Sequence, residues 1–113
     1  MRIGTTAALI AIVALATALG TAGTASAATT VTIGDNFFAP SSKTIAAGTK
    51  VRFNWTGNRR HNVKKKSGPG GGFKSVTTKS NGVNFAKVFN QRGTYRLICT
   101  IHPEEMKLKL TVD

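Results

Sequence analysis

The stretch Gly93-Thr94-Tyr95-Arg96-Leu97-Ile98-Cys99-Thr100-Ile101-His102-Pro103-Glu104-Glu105-Met106-Lys107-Leu108-Lys109-Leu110-Thr111-Val112 decides how the rest of the chain is read. Tyr95, Leu97 and Cys99 share one parity against Thr94, Arg96 and Ile98, and Leu108, Leu110 and Val112 alternate with Lys107, Lys109 and Thr111. Alternation at period two marks a strand with one buried face. Pro103 cannot continue a central strand, so the chain turns between the two runs. The segment therefore reads as two strands joined by a turn, with the Cys99 sulfur pointing inward at the end of the first. The turn carries His102 and Met106 back toward that sulfur.

The same period extends toward the N-terminus. Val31 and Ile33 alternate with threonines, and Val51, Phe53 and Trp55 alternate with Lys50, Arg52 and Asn54. Val83, Phe85 and Phe89 share a parity in a further run. Ala47-Gly48, Thr56-Gly57-Asn58, Asn81-Gly82 and Arg92-Gly93 supply turn residues between the runs. Short strands at this spacing predict an all-β chain, a single antiparallel Greek-key sandwich or barrel. No stretch competes as a helix, and no internal repeat is present. Lys64-Lys65-Lys66-Ser67-Gly68-Pro69-Gly70-Gly71-Gly72 reads as a flexible basic loop, either a solvated face or a docking arm close in sequence to His61.

Residues 1–27 are set apart from the fold. Arg2, the apolar run Ala7 to Leu19 and the terminal Ala25-Ser26-Ala27 match a secretory signal peptide with an A-x-A cleavage site. The apolar run is shorter than the roughly 20 residues that cross a bilayer, so no transmembrane anchor is expected after cleavage. Residues 28–113 then form one domain of 113 − 27 = 86 residues, exported to a periplasmic or extracellular space. That domain holds 15 Lys/Arg against Asp35, Glu104, Glu105 and Asp113, a formal net charge of 15 − 4 = +11. Such a surface favours anionic partners through long-range steering and says little about fold.

The scarce ligands carry the chemistry. The chain has one cysteine and two histidines. A single cysteine forms no internal disulfide, although small secreted domains commonly use them. Singly, Met106 reads as core filler, His61 as a surface residue after two arginines, and His102 as a turn residue. Jointly, a thiolate, two imidazoles and a weak thioether make the trigonal site with a long axial bond that suits copper. Structural zinc takes four strong ligands, and only Cys99, His61 and His102 are at hand unless a glutamate joins them.

The segment His61-Asn62-Val63, then Gly93-Thr94-Tyr95, then Cys99-x-x-His102-Pro103 with Met106 nearby, resembles the cupredoxin family, in particular its small plastocyanin-like and amicyanin-like blue copper proteins. The resemblance extends through Val31-Thr32-Ile33, Phe38-Ala39-Pro40 and Ala47-Gly48-Thr49-Lys50-Val51. It implies a Greek-key sandwich holding one type 1 copper, with His61, Cys99 and His102 as equatorial ligands and Met106 as the weak axial one. It further implies that Asn62 ties its loop to the cysteine loop, with Thr100 as its partner here. Three residues separate His102 from Met106, whereas amicyanin-like loops have two and plastocyanin-like loops four. The amicyanin-like axial position therefore falls on Glu105, and softness and strand register favour Met106.

The expected function is single-electron transfer between redox partner proteins with acidic docking surfaces. The chain is expected to be a monomer that binds no nucleic acid and is not an enzyme: no acid–base pair stands out, and two histidines are too few for an oxygen-reducing copper cluster. The alternatives are a copper carrier or storage protein that hands over the metal, and a cationic secreted binding module in which Cys99 merely packs.

Overall fold

The computed structural model describes residues 27–113, so the expected signal peptide lies outside the described residues except for Ala27. Eight strands follow: β1 (Ala28–Gly34), β2 (Phe37–Ala39), β3 (Ser42–Ile45), β4 (Thr49–Trp55), β5 (Lys64–Ser67), β6 (Gly82–Phe89), β7 (Gly93–Ile98) and β8 (Lys107–Val112). The described residues contain no helix, and none of them forms a helix long and apolar enough to cross a membrane.

The strands form two sheets, ordered β2-β1-β4-β6 and β3-β8-β7-β5. The alternating apolar residues meet between them: Val31 and Ile33 of β1, Val51, Phe53 and Trp55 of β4, Leu97 of β7, and Leu108 and Leu110 of β8 are all essentially shielded from solvent. Burying side chains of this size contributes roughly 1.5–3 kcal/mol each, which drives the two faces together. The result is a Greek-key β-sandwich. Pairing is antiparallel except at two places, β1 beside β4 and β3 beside β8. These parallel pairs depart from the antiparallel expectation, and the chain path explains them. After the β1–β2 hairpin the chain crosses to the second sheet as β3, then returns as β4 next to β1.

Two other departures have local causes. Val83 was expected to face inward with Phe85 and Phe89, yet it is exposed. The β4–β6 register shifts between Phe53↔Phe85 and Asn54↔Val83, leaving Asn84 as an extra residue. A bulge of that kind reverses which face the following side chains take. The basic stretch also divides. Lys64–Ser67 is edge strand β5, paired with β7, and only the glycine-rich remainder loops. Lysines suit an edge because they discourage further pairing, and the glycines begin only at Gly68. Lys65 folds its Nζ back onto the carbonyl oxygens of Gly70 (2.6 Å) and Gly71 (3.2 Å), which fastens the loop to the strand.

The topology sets the two ends of the sandwich apart. At one end the last residue is tied to the segment after β3, with the Ala47 N–H donating to the Asp113 carbonyl (3.0 Å) and the Asp113 N–H to that of Ile45 (2.9 Å). At the other end lie the turn after β1, the segment after β4, and the loop joining β7 to β8.

Candidate metal centre

β7 stops at Ile98, and Cys99 follows with core-facing parity, fully buried. The loop after it is short and closed by its own backbone. The Cys99 N–H donates to the Met106 carbonyl (3.2 Å), while the N–H groups of Glu105 (3.2 Å) and Met106 (2.9 Å) both donate to the His102 carbonyl. Met106 is fully buried and Glu105 exposed. From the β4 side, His61 pairs with Thr78 in an isolated bridge, with N–H to carbonyl distances of 3.0 and 3.1 Å. The indole N–H of Trp55 also donates to the His61 carbonyl (3.2 Å). His61 itself has no solvent exposure.

These elements bring one nitrogen each from His61 and His102, and the Cys99 sulfur, within 4.8 Å of one another. His61 Nδ1 lies 4.0 Å from Cys99 Sγ, and the two imidazole rings are 5.4 Å apart at 59°. Glu105 does not join this cluster. His102 Nδ1 is buried with no hydrogen-bond partner. An unsatisfied buried polar atom costs on the order of 1–3 kcal/mol, a cost that disappears if the nitrogen is a ligand. Three strong donors aimed at one buried point, with a buried thioether one hydrogen-bonded turn away, fit a single type 1 copper ion.

Asn62 joins the two ligand loops. Its Nδ2 donates to the hydroxyls of Thr77 and Thr100, each at 2.8 Å, and its Oδ1 accepts from the Thr100 N–H at 2.9 Å. The bond to Thr100 spans 38 residues of sequence and fixes the position after Cys99 relative to the position after His61.

Asp35 is the residue that sequence reasoning missed. It lies in the turn between β1 and β2, and its Oδ1 is 3.0 Å from His61 Nε2. The imidazole of His61 first, and then the N–H of Asn58, hold its carboxyl below the ordinary aspartate value, aided by the N–H of Arg59. A lone aspartate 26 residues before the histidine carries no spacing signal. The composition offered one clue: it is one of only four acidic residues in a strongly basic chain.

His102 is only partly buried. With the exposed Ile101 it lines an open depression of about 820 Å3, rimmed by Arg59, Arg60 and Lys79. The ligand cluster thus reaches the surface at His102 and not at His61.

A two-sheet Greek-key sandwich with this donor set at one end defines a cupredoxin. The family of copper binding proteins described as plastocyanin/azurin matches residues 25–113, and the chain belongs to that family. Comparison with curated proteins gives no match. Among solved structures, a reduced form of an amicyanin variant is 26% identical, with a TM-score of 0.68, over 81% of this chain and 88% of its own. A purple cupredoxin from Nitrosopumilus maritimus is similar in fold, at 24% identity and a TM-score of 0.65, over 75% of this chain and 99% of its own. A Cu-containing nitrite reductase from Thermus scotoductus SA-01 matches at 26% identity and a TM-score of 0.67 over 75% of this chain, which spans only 22% of that enzyme's length.

Proposed function

We propose that the chain is an exported blue copper protein that passes single electrons between redox partners, and that it acts as a carrier and not as an enzyme. His61, Cys99 and His102 serve as equatorial ligands and Met106 as the weak axial one. The observation that carries this reading is the convergence of Cys99 Sγ with one ring nitrogen each of His61 and His102, in a His102 ring whose buried Nδ1 has no hydrogen-bond partner. The burial of Met106 beside the exposure of Glu105 favours the thioether over the carboxylate as axial donor.

Bound copper supplies a one-electron couple between Cu(I) and Cu(II). The protein supplies fixed geometry. Cys99, His61 and Met106 exclude water from the donor cluster, and the Asn62 bonds keep the two loops from separating. Ligands held by packing and hydrogen bonds change little between oxidation states, which keeps the reorganisation barrier low. His102 offers the route outward, since its ring borders the surface beside Ile101. Arg59, Arg60 and Lys79 around that exit favour a partner with an acidic docking face.

Titration of the metal-free protein with Cu(II) tests this directly. An intense visible copper–thiolate band that is absent from Cys99→Ser supports electron transfer. Selective Cu(I) uptake without such a band would move the reading to a copper carrier. Identification of the N-terminus of the protein recovered outside the cytoplasm tests export, with Ala28 as the expected first residue.

A further inference from the structure

We infer that Asp35 is a positioning residue for the copper centre: its carboxylate fixes the protonation pattern of His61 before metal arrives and biases the bound metal toward Cu(II). The inference rests on the reading of His61 as a ligand.

The carboxylate is surrounded by donors from one short segment. Oδ1 accepts from the N–H of Asn58 (3.0 Å), the N–H of Arg59 (3.0 Å) and the His61 ring (3.0 Å), while Oδ2 lies 3.1 Å from the Asn58 N–H. The approach is so close that a Cβ on Gly57 would lie 2.2 Å from Oδ1, so only glycine fits there. On the other side Asn36 takes a φ of +71°, a left-handed value that asparagine tolerates, in the two-residue link between Gly34 and Phe37. The whole arrangement aims one anionic group at the buried imidazole. Asp35 is about one-third exposed in a chain rich in cations. Among the described residues its side-chain partner is nonetheless His61, with no lysine or arginine side chain paired to it.

The chemistry follows from donor and acceptor roles. An ionised carboxylate can only accept, so Nε2 carries a proton, and in the neutral ring Nδ1 is then the nitrogen that presents a lone pair. Nδ1 is the nitrogen that lies 4.0 Å from Cys99 Sγ. A carboxylate behind a metal-binding imidazole orients the ring and raises its donor strength. The same negative charge favours the more highly charged metal state.

Asp35→Asn separates charge from geometry, because the amide oxygen can still accept all three bonds made by Oδ1. The visible copper band is expected to survive. The preference for Cu(II) over Cu(I) is expected to fall about tenfold, which raises the potential by about 59 mV for one electron. An unchanged potential would overturn the redox bias. A second measurement needs no variant and no metal: nitrogen NMR of the metal-free protein should show His61 as a single tautomer with the proton on Nε2. Asp35→Ala should mix the two tautomers. A proton on Nδ1 in the unaltered protein would overturn the positioning role. Protein that shows the fixed tautomer yet takes up no copper would uphold that role and sink the copper reading instead.

Discussion

His61 and His102 contribute the same functional group to one cluster, yet they are held in opposite ways. His61 is fully buried, bridged to Thr78, bonded through its carbonyl to Trp55 and through its ring to Asp35. His102 sits on a turn, partly exposed, with its carbonyl taking two backbone bonds and its Nδ1 left without a partner. One candidate ligand is therefore part of the sandwich and the other part of its surface. An electron-transfer centre needs both properties: rigidity to keep the barrier low, and a ligand near the exterior to shorten the path to a partner. The sandwich holds one donor from within, and a hydrogen-bonded turn holds the other at the edge of the surface.

Replacing each histidine by alanine in the metal-free protein breaks this comparison most directly. His61→Ala opens a cavity in the core and leaves the Asp35 carboxylate without its ring partner, so unfolding in denaturant should show a loss of about 2–5 kcal/mol. Similar losses for His61→Ala and His102→Ala would mean that the two ligands are equally structural.

Asn62→Ala comes next. It removes both bonds to Thr100 and the bond to Thr77, and it strands the Thr100 N–H in a part-buried position. Equilibrium unfolding should report a loss of about 1–3 kcal/mol. Because Asn62 ties the buried His61 segment to the turn that carries His102, the variant should also broaden the NMR signals of Thr100 to Met106 while leaving those of His61 to Val63 comparatively sharp. Broadening confined to the His61 side would reverse the assignment of which side the sandwich anchors.

His102→Ala should cost less than about 1 kcal/mol in the same metal-free assay, because its ring is only partly buried and its nitrogen has no bond to lose. Its effect on the copper site is larger than its effect on the fold. The gap opens onto the depression lined by Ile101, so added imidazole should restore the visible copper band. His61→Ala should resist the same rescue, since that position has no solvent exposure. Equal rescue of both variants would mean that the burial of His61 does not control access.

Much of this asymmetry was legible in the sequence, for physical reasons that differ from residue to residue. Period-two alternation placed Val31, Phe53, Leu97 and Leu110 on inward faces because one face of each strand packs and the other is wet. Cys99, His61 and His102 stood out because a chain with so few soft ligands had gathered two of them, with Met106, in one turn. Asp35 was invisible because its role arises only when the β1 turn folds against the segment after β4, a contact that no local pattern records. β5 was hidden for the opposite reason. Its lysines look like a solvated run, and only the pairing with β7 shows that an edge strand can carry them. Val83 failed because a single inserted residue, Asn84, changes the face, and a bulge leaves no mark in the hydrophobic pattern.

The smallest expected effect on stability comes from the segment that serves both halves. Arg59 and Arg60 immediately precede His61, yet with Lys79 they border the depression beside His102. Their backbone belongs to the rigid ligand, since the Arg59 N–H is bonded to Asp35, while their side chains point to the surface where a partner would dock. The double variant Arg59→Gln/Arg60→Gln should therefore change folding stability by no more than about 0.5 kcal/mol. Its association rate with an acidic redox protein should fall at low salt and approach the unaltered rate above about 0.1 M, where the Debye length drops to about 10 Å. Stopped-flow measurement of electron exchange across a salt series distinguishes the outcomes. A variant that is slower by the same factor at every ionic strength has lost a contact and not a steering field. A variant as destabilised as His61→Ala would show that these side chains hold the ligand in place, and the division between a rigid and an exposed half would then run through the guanidinium groups themselves.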